Sequence, residues 1–373
     1  MEFLSLGGVR QVSIPEEKEF SNRKFPLTLS PDPSVIANIS DFSMWLVDNK
    51  ASVDKLLFDH KAILFRGFEV CGHDDFHEVI QGTGYLGMPY IGGAAVRTQL
   101  TSRVFTANES PASEKIPFHH ELAQTPDPPT HLFFYCEVAP SVGGETPLLI
   151  SSELYYRLAV KHQEYLDHIE RLGVRYVRIM PEQDDPSSAI GRGWKSTFLC
   201  EDRAGAEQAL RELGSTWEWL DNNNLRTVTS VVPGKHLSYF QVISSCNLVV
   251  AYIGHYICVC VDCNFLVVFI AIRTDTGENR TNQKTFFNSM VAAYTGWNDC
   301  RNIGEKAVLT GDGSLLSPDF MSDAVSIMNE IRVCSRWQEG DVILVDNRTA
   351  MHSRSPYEGK RRVLAALARD PER

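Results

Sequence analysis

The chain is predicted to be mainly β with added helices (α+β), arranged as a barrel or jelly roll. Two observations carry this. From about residue 90 onward, apolar runs are short and separated by turn residues, as in RVFTA (103–107), THLFFYCEV (130–138) and TPLLI (146–150). Helical periodicity is confined to a few segments, with no hydrophilic linker between them, so residues 1–373 are read as one domain.

Residues 34–59 carry helical spacing in Val35, Ile36, Ile39, Phe42, Trp45, Leu46, Val53, Leu56 and Leu57. KAILFRGF (61–68) is a short apolar run bounded by polar residues, hence a strand. DDFHEVIQGTG opens with capping carboxylates and closes on glycine, hence a short helix. Pro126, Asp127, Pro128, Pro129 and the Gly143–Gly144 pair mark turns. Residues 151–173 form an amphipathic helix opened by Ser151 or Ser152. GRGWKSTFL is then expected as a strand and AGAEQALRELG (204–214) as a helix. EGDVILVDNRTAMHSR and KRRVLAALAR supply the final strands.

Composition is that of an ordinary globular chain, 43% hydrophobic and 22% charged. A net charge of −11, with Lys360, Arg361 and Arg362 as a short basic patch, argues against binding a phosphate backbone. The N-terminus has no basic segment followed by an apolar run, and it carries Glu2, Glu16, Glu17 and Glu19. Neither a secretory signal nor a transit peptide is expected. An odd count of nine cysteines reads as free thiols in a reducing compartment, so the expected location is cytoplasmic.

Residues 242–272, VISSCNLVVAYIGHYICVCVDCNFLVVFIAI, break the pattern. They hold one formal charge, Asp262, and four of the nine cysteines. Hydropathy alone would allow a membrane span. A single span here would place the two halves of one core on opposite sides of a membrane. The stretch is therefore read as an insertion of doubtful function, such as translated intron sequence. Cys258, Cys260 and Cys263 have zinc-like spacing but lack a convincing fourth ligand.

Two histidines and one carboxylate bind iron(II) on one face and leave positions open. The short signature, His-x-Asp/Glu, is weak: residue frequencies predict one or two matches, and four occur. Context separates them. His162/Glu164 and His168/Glu170 lie in the amphipathic helix, where residues two apart diverge. His73/Asp75 sits at a helix start, where Asp74 or Asp75 is a capping residue. IPFHHELAQ is different: if extended, it projects His119 and Glu121 to one side and His120 to the other. Far downstream, a turn and a strand place His352, and Arg362 follows ten residues later. In a jelly roll the returning strand brings that guanidinium near the metal, where it suits the far carboxylate of a chelating dicarboxylate. Arg361 should then face outward.

GGAAVRT (92–98), RVFTANESP (103–111), IPFHHELAQ (116–124), LFFYCEVAPSVGGETPLL (132–149), DDPSSAIGRGWKSTFL (184–199), FFNSMVAAYTGW (286–297) and GDVILVDNRTAMHSR (340–354) resemble the taurine dioxygenase and clavaminate synthase-like family. The plant clavaminate synthase-like proteins are the most similar. The resemblance spans nearly the whole chain except the first ~25 residues and 236–276. It implies a double-stranded β-helix (jelly roll, cupin-like) core. It also implies an Fe(II)- and 2-oxoglutarate-dependent dioxygenase that uses O2 and oxidises a small molecule, releasing succinate and CO2. Hydroxylation, desaturation and cyclisation are all compatible outcomes. By resemblance the metal ligands are His119, Glu121 and His352, and Thr146 and Arg362 hold 2-oxoglutarate. Arg97 and Asn108 lie in family-like segments and are candidate substrate contacts. The family's second arginine, four residues further on, is replaced by Ala366, so its anion-binding role does not carry over. The competing readings are a catalytically silent jelly-roll binding protein, a zinc hydrolase using the same ligands, and a membrane-anchored protein.

Overall fold

A computed structural model describes residues 5–232 and 284–371, together with the backbone of an antiparallel pair, Val249–Ile253 and Tyr256–Cys260. Apart from that pair, the 242–272 stretch lies outside the described residues. No helix among the described residues is long and apolar enough to cross a membrane.

The core is two facing sheets that do not close into a barrel. In the larger, the His131–Val138 strand lies between Val342–Asp346 and Arg362–Arg369. Ala62–Phe65, Leu27–Pro31 and Val9–Val12 extend the sheet beyond Val342–Asp346. The smaller sheet pairs Leu148–Ile150 and Ile116–His119 on either side of Ala350–Arg354.

Strand alternation gives the larger sheet two apolar faces. Leu132, Phe134, Cys136, Ile343, Val345, Val363, Ala365 and Leu367 face inward, toward Leu148, Ile150 and Ala350 of the smaller sheet. Phe133, Tyr135, Val342, Leu344, Leu364, Ala366 and Ala368 face outward, against helices Ile39–Asp48, Lys50–His60 and Gly72–Gly82. Covered on both sides, these strands are unbroken apolar runs rather than alternating ones. Each fully buried Leu or Phe contributes about 2 kcal/mol of hydrophobic stabilisation. The smaller sheet turns Phe118, Leu149 and Met351 toward helices Ser151–Leu172, Met290–Gly296 and Pro318–Ile331.

Several sequence expectations are met, and two are corrected. The 34–59 segment forms two helices, broken at Asn49; Asn38 caps the first by accepting from the Asp41 amide at 3.0 Å. GRGWKSTFL holds a short helix, Trp194–Phe198, and not a strand. Its apolar run is too short for periodicity to decide. The conformation is set by burial of Trp194 and by its indole N–H donating to the Asn223 carbonyl at 2.9 Å. The His73 and His162 matches are accounted for structurally. Asp75 accepts from the Cys71 amide at 2.8 Å, and His162 pairs with Asp323 rather than Glu164.

Two buried histidines make the fold acid-sensitive. His131 stacks on Tyr85 with ring centroids 4.2 Å apart, and burial pushes its pKa down to about 4. Burial pushes His120 down to about 3. In the unfolded chain both would protonate near pH 6.5. Between that pH and the folded values the native state binds fewer protons, so stability is full above pH 6.5 and falls as pH is lowered. The expected loss is on the order of 3 kcal/mol per group by pH 4. Urea unfolding midpoints at pH 7.5, 6 and 5 check this. His131→Gln should flatten the profile, and an unchanged profile would remove His131 as a cause.

Candidate metal centre

The two distant motifs meet through strand register. His119 closes the Ile116–His119 strand and lies directly opposite His352 on the antiparallel Ala350–Arg354 strand. Side chains at such paired positions share one face, and here the ring centroids are 4.2 Å apart. Beyond His119 the chain leaves the strand and turns, with Leu122 at φ +54°. Glu121 is carried on this turn. One ligand atom from each of His119, Glu121 and His352 falls within 4.8 Å of the others. Glu121 Oε2 is 3.5 Å from His352 Nε2 and 3.9 Å from His119 Nε2.

The surroundings prepare these groups. His119 Nδ1 donates to the Pro117 carbonyl at 2.9 Å, so Nε2 keeps its lone pair and faces the site. Burial, and next the His352 ring, push His119 down to about 4, so it is neutral near pH 7. Burial pushes the Glu121 carboxyl up, but Arg97 and the two imidazoles together hold it below the usual carboxylate range. Two imidazoles and one carboxylate, open on the cavity side, fit an octahedral ferrous ion that keeps free positions.

His120 points away from the cluster, held by contacts on the other side of the chain. It is fully buried, with Nδ1 donating to the Asn347 carbonyl and Nε2 accepting from the Ser151 hydroxyl at 2.6 Å. Asn347 also grips the ligand-bearing turn. Its Oδ1 accepts from the Glu121 amide at 2.8 Å, and its Nδ2 donates to the carbonyls of Glu121 and Pro129 at 3.0 and 2.8 Å. Asn347→Ala would leave these buried groups unpaired, at about 1–3 kcal/mol for each strongly desolvated one. The expected result is a chain destabilised by several kcal/mol with weakened metal binding. Thermal unfolding and a metal titration check it, and near-wild-type values in both would refute the role.

A cavity of about 110 Å³ adjoins the side chains of His119, Glu121 and His352. Tyr90, Phe134, Ile190, Trp297 and Val363 give it apolar walls, and Thr146, Arg354 and Arg361 lie on its lining. Arg362 does not. Val363, Ala365 and Leu367 face inward, so alternation puts Arg361 in phase with them and Arg362 in phase with the outward Leu364 and Ala366. Arg362 is half exposed and paired with Glu137 at 2.8 Å. The expectation that Arg362 points inward and Arg361 outward is thus reversed. Counting four residues on from Arg361 reaches Ala365, again an alanine, and inward-facing.

Arg361 Nε donates to the Gly144 carbonyl at 2.8 Å. Gly143 and Gly144 both have positive φ, and a side chain on Gly144 would sit 2.9 Å from Tyr357 Cβ and 3.0 Å from Arg361 Cδ. The glycine pair therefore lets the Thr146 segment close over Arg361. Burial, and next the neighbouring Arg354 cation, lower the Arg361 pKa to about 10, leaving it charged. Arg354 spends its donors on the carbonyls of Ser110, Pro111 and Glu114 at 3.1, 2.7 and 2.6 Å. Among the described residues neither arginine lies within salt-bridge distance of a carboxylate. Arg361 is thus a cation on the cavity wall with no salt-bridged carboxylate among the described residues.

Arg97 and Asn108 also line the cavity. Asn108 Oδ1 accepts from the Ser110 amide at 2.7 Å, which is turn geometry. Arg97 is bonded to Glu121 at 3.0 Å. The sequence reading missed Arg354, although its position two residues after His352 on a strand puts both on one face. It also missed Asn347, for which no pattern in the sequence speaks.

Paired imidazoles and a carboxylate on a double-stranded β-helix define the class of Fe(II)- and 2-oxoglutarate-dependent oxygenases. A profile of the taurine catabolism dioxygenase TauD, TfdA family matches residues 23–221 and 277–367, so the chain belongs to that family and is a dioxygenase of this class. The interruption brackets the 242–272 stretch. A clavaminate synthase-like protein of Arabidopsis thaliana is 42% identical over 363 residues, 96% of this chain and 98% of that protein. The dapdiamide synthesis protein DdaC of Enterobacter agglomerans is 24% identical over 335 residues, 89% of each chain. The PvcB protein of Pseudomonas aeruginosa superposes with a TM-score of 0.48 at 12% identity, covering 98% of this chain and 91% of that one.

Proposed function

We propose that His119, Glu121 and His352 hold Fe(II), that Arg361 and Thr146 grip the remote carboxylate of 2-oxoglutarate, and that the enzyme oxidises a C–H bond of a small-molecule substrate. One observation carries the assignment: three ligand atoms converge within 4.8 Å beside a cavity whose wall bears the guanidinium of Arg361, which has no carboxylate within salt-bridge distance among the described residues. A dicarboxylate chelating a metal at one end supplies the missing anion at the other. When bound, Fe(II) and 2-oxoglutarate supply the oxidising chemistry, with succinate and CO2 as coproducts.

The chain's own residues bind, orient and exclude water. The Pro117 carbonyl fixes the His119 ring, and Asn347 fixes the Glu121 backbone. The Gly143–Gly144 turn sets Thr146 beside Arg361. Phe134, Ile190, Trp297 and Val363 keep the cavity apolar, which strengthens the Arg361–carboxylate pairing. A zinc hydrolase would leave this cation without a task. The proposal also covers one domain interrupted by an insertion of doubtful function at 242–272, no nucleic-acid partner, and a cytoplasmic setting. The last is supported by free thiols at Cys71, Cys136, Cys200, Cys300 and Cys334.

The test is anaerobic addition of 2-oxoglutarate to Fe(II)-loaded protein. A visible charge-transfer band is expected, followed in air by succinate formation without added substrate. Absence of both in folded protein, or full activity with Zn(II) and no 2-oxoglutarate, would overturn the reading.

A further inference from the structure

We propose that Arg97 is a positioning residue for the metal centre, holding the Glu121 carboxylate in a single orientation and drawing charge from its metal-facing oxygen. This rests on the reading of Glu121 as a ligand. Arg97 Nη2 donates to Glu121 Oε2 at 3.0 Å. That same oxygen is the one near both imidazoles, 3.5 Å from His352 Nε2 and 3.9 Å from His119 Nε2. The guanidinium therefore reaches the oxygen at the centre of the cluster and not the remote one. Both side chains are almost fully buried, at 7% and 5% exposed.

Direct contact between Arg97 and substrate fits the geometry less well. Arg97 Nε and Nη1 are closed off from solvent and have no hydrogen-bond partner among the described residues, so the guanidinium presents little polar surface to the cavity it lines. The guanidinium packs on the Tyr90 ring, 4.1 Å from its centroid. Its polar commitment is to Glu121.

The loop that presents Arg97 is itself clamped. Arg192 donates to the Tyr90 carbonyl at 3.1 Å and the Ser196 carbonyl at 2.6 Å, and its guanidinium lies 4.8 Å from the Tyr90 ring. Arg178 donates to the carbonyls of Ile190 and Arg192 at 2.8 and 2.6 Å and reaches Ala94 at 3.4 Å. Two buried arginines thus tie residues 90–94 to the 190–196 segment. Arg97 is held from a fixed base, as an orienting outer-shell group must be. An oxygen shared between a guanidinium and a metal donates less charge to the metal. The Arg97–Glu121 pair is neutral overall, so orientation outweighs repulsion between Arg97 and an incoming dication.

The experiment is an anaerobic Mn(II) titration of the full chain, followed by electron paramagnetic resonance, for the wild type, Arg97→Met, Arg97→Lys and His119→Ala. Arg97→Met should bind Mn(II) about 10- to 100-fold more weakly. Arg97→Lys, which keeps the charge and loses the planar fork, should fall between. At saturating Fe(II) and 2-oxoglutarate, the charge-transfer band of Arg97→Met should move to longer wavelength, because the released carboxylate donates more strongly. A purely structural role would leave the band in place. Far-UV circular dichroism checks folding; if Arg97→Met does not fold, the Arg97→Lys titration decides by the same criteria. Wild-type affinity together with an unmoved band would overturn the inference alone. No Mn(II) binding by the wild type, or equal binding by His119→Ala, would overturn the metal-centre reading and this inference with it.

Discussion

Arg361→Ala is expected to raise the half-saturating 2-oxoglutarate concentration by roughly 100-fold, while Arg362→Ala changes it by less than about threefold. The larger figure corresponds to about 3 kcal/mol, the value of charge-assisted hydrogen bonds to a carboxylate on an apolar wall. The smaller follows from the setting of Arg362: its side chain is 48% exposed and its partner is Glu137 on the outer face, where an ion pair contributes about 0–1 kcal/mol. Arg361→Lys should give an intermediate value, since an ammonium keeps the charge but not the planar fork. Succinate formation against 2-oxoglutarate concentration, with metal saturating, makes the comparison. The reverse ranking of the two arginines would overturn the assignment.

The second large effect is loss of the metal. His119→Ala and His352→Ala should each reduce 2-oxoglutarate turnover by at least about 1000-fold, because two protein ligands no longer fix an open coordination site. Both variants should fold, since neither ring is bonded to more than one backbone carbonyl. Glu121→Ala carries an added cost. It leaves the buried Arg97 cation uncompensated, and breaking such a pair from one side destabilises by about 3–5 kcal/mol. Glu121→Gln, which keeps a hydrogen-bond acceptor for Arg97, separates the two effects. A Tm series with Mn(II) supplies the measurement. Metal at 100 times its Kd stabilises the native state by about 2.7 kcal/mol, so the wild type should gain several degrees and the four ligand variants almost none. A histidine variant that keeps the full metal-dependent gain would remove that residue from the ligand set, and chelation of the wild type should mimic the variants reversibly.

Much of the architecture was legible because its signals are local. The 151–173 helix, the 130–138 strand and the C-terminal strands follow from periodicity and turn residues. The long family-like segments raised the His119, Glu121 and His352 constellation above three chance matches of the same short pattern. What failed were short apolar runs and phases. GRGWKSTFL became a helix because a tryptophan found a buried slot and a carbonyl partner, which no local propensity contains. The Arg361/Arg362 orientation failed by one residue: the phase of the strand is fixed by burial of Val363, Ala365 and Leu367 against the facing sheet, and in a strand one residue reverses the face.

By itself, then, the sequence determined the family, the candidate trio His119, Glu121 and His352 and the β-rich core, because histidine and carboxylate chemistry and apolar runs are properties of residues and their spacing. Only the tertiary structure decided which arginine faces the cavity, that Arg97 is committed to Glu121, and that Asn347 holds the ligand-bearing turn. Those depend on strand register and on contacts between segments more than 20 and more than 200 residues apart, where no local pattern carries information.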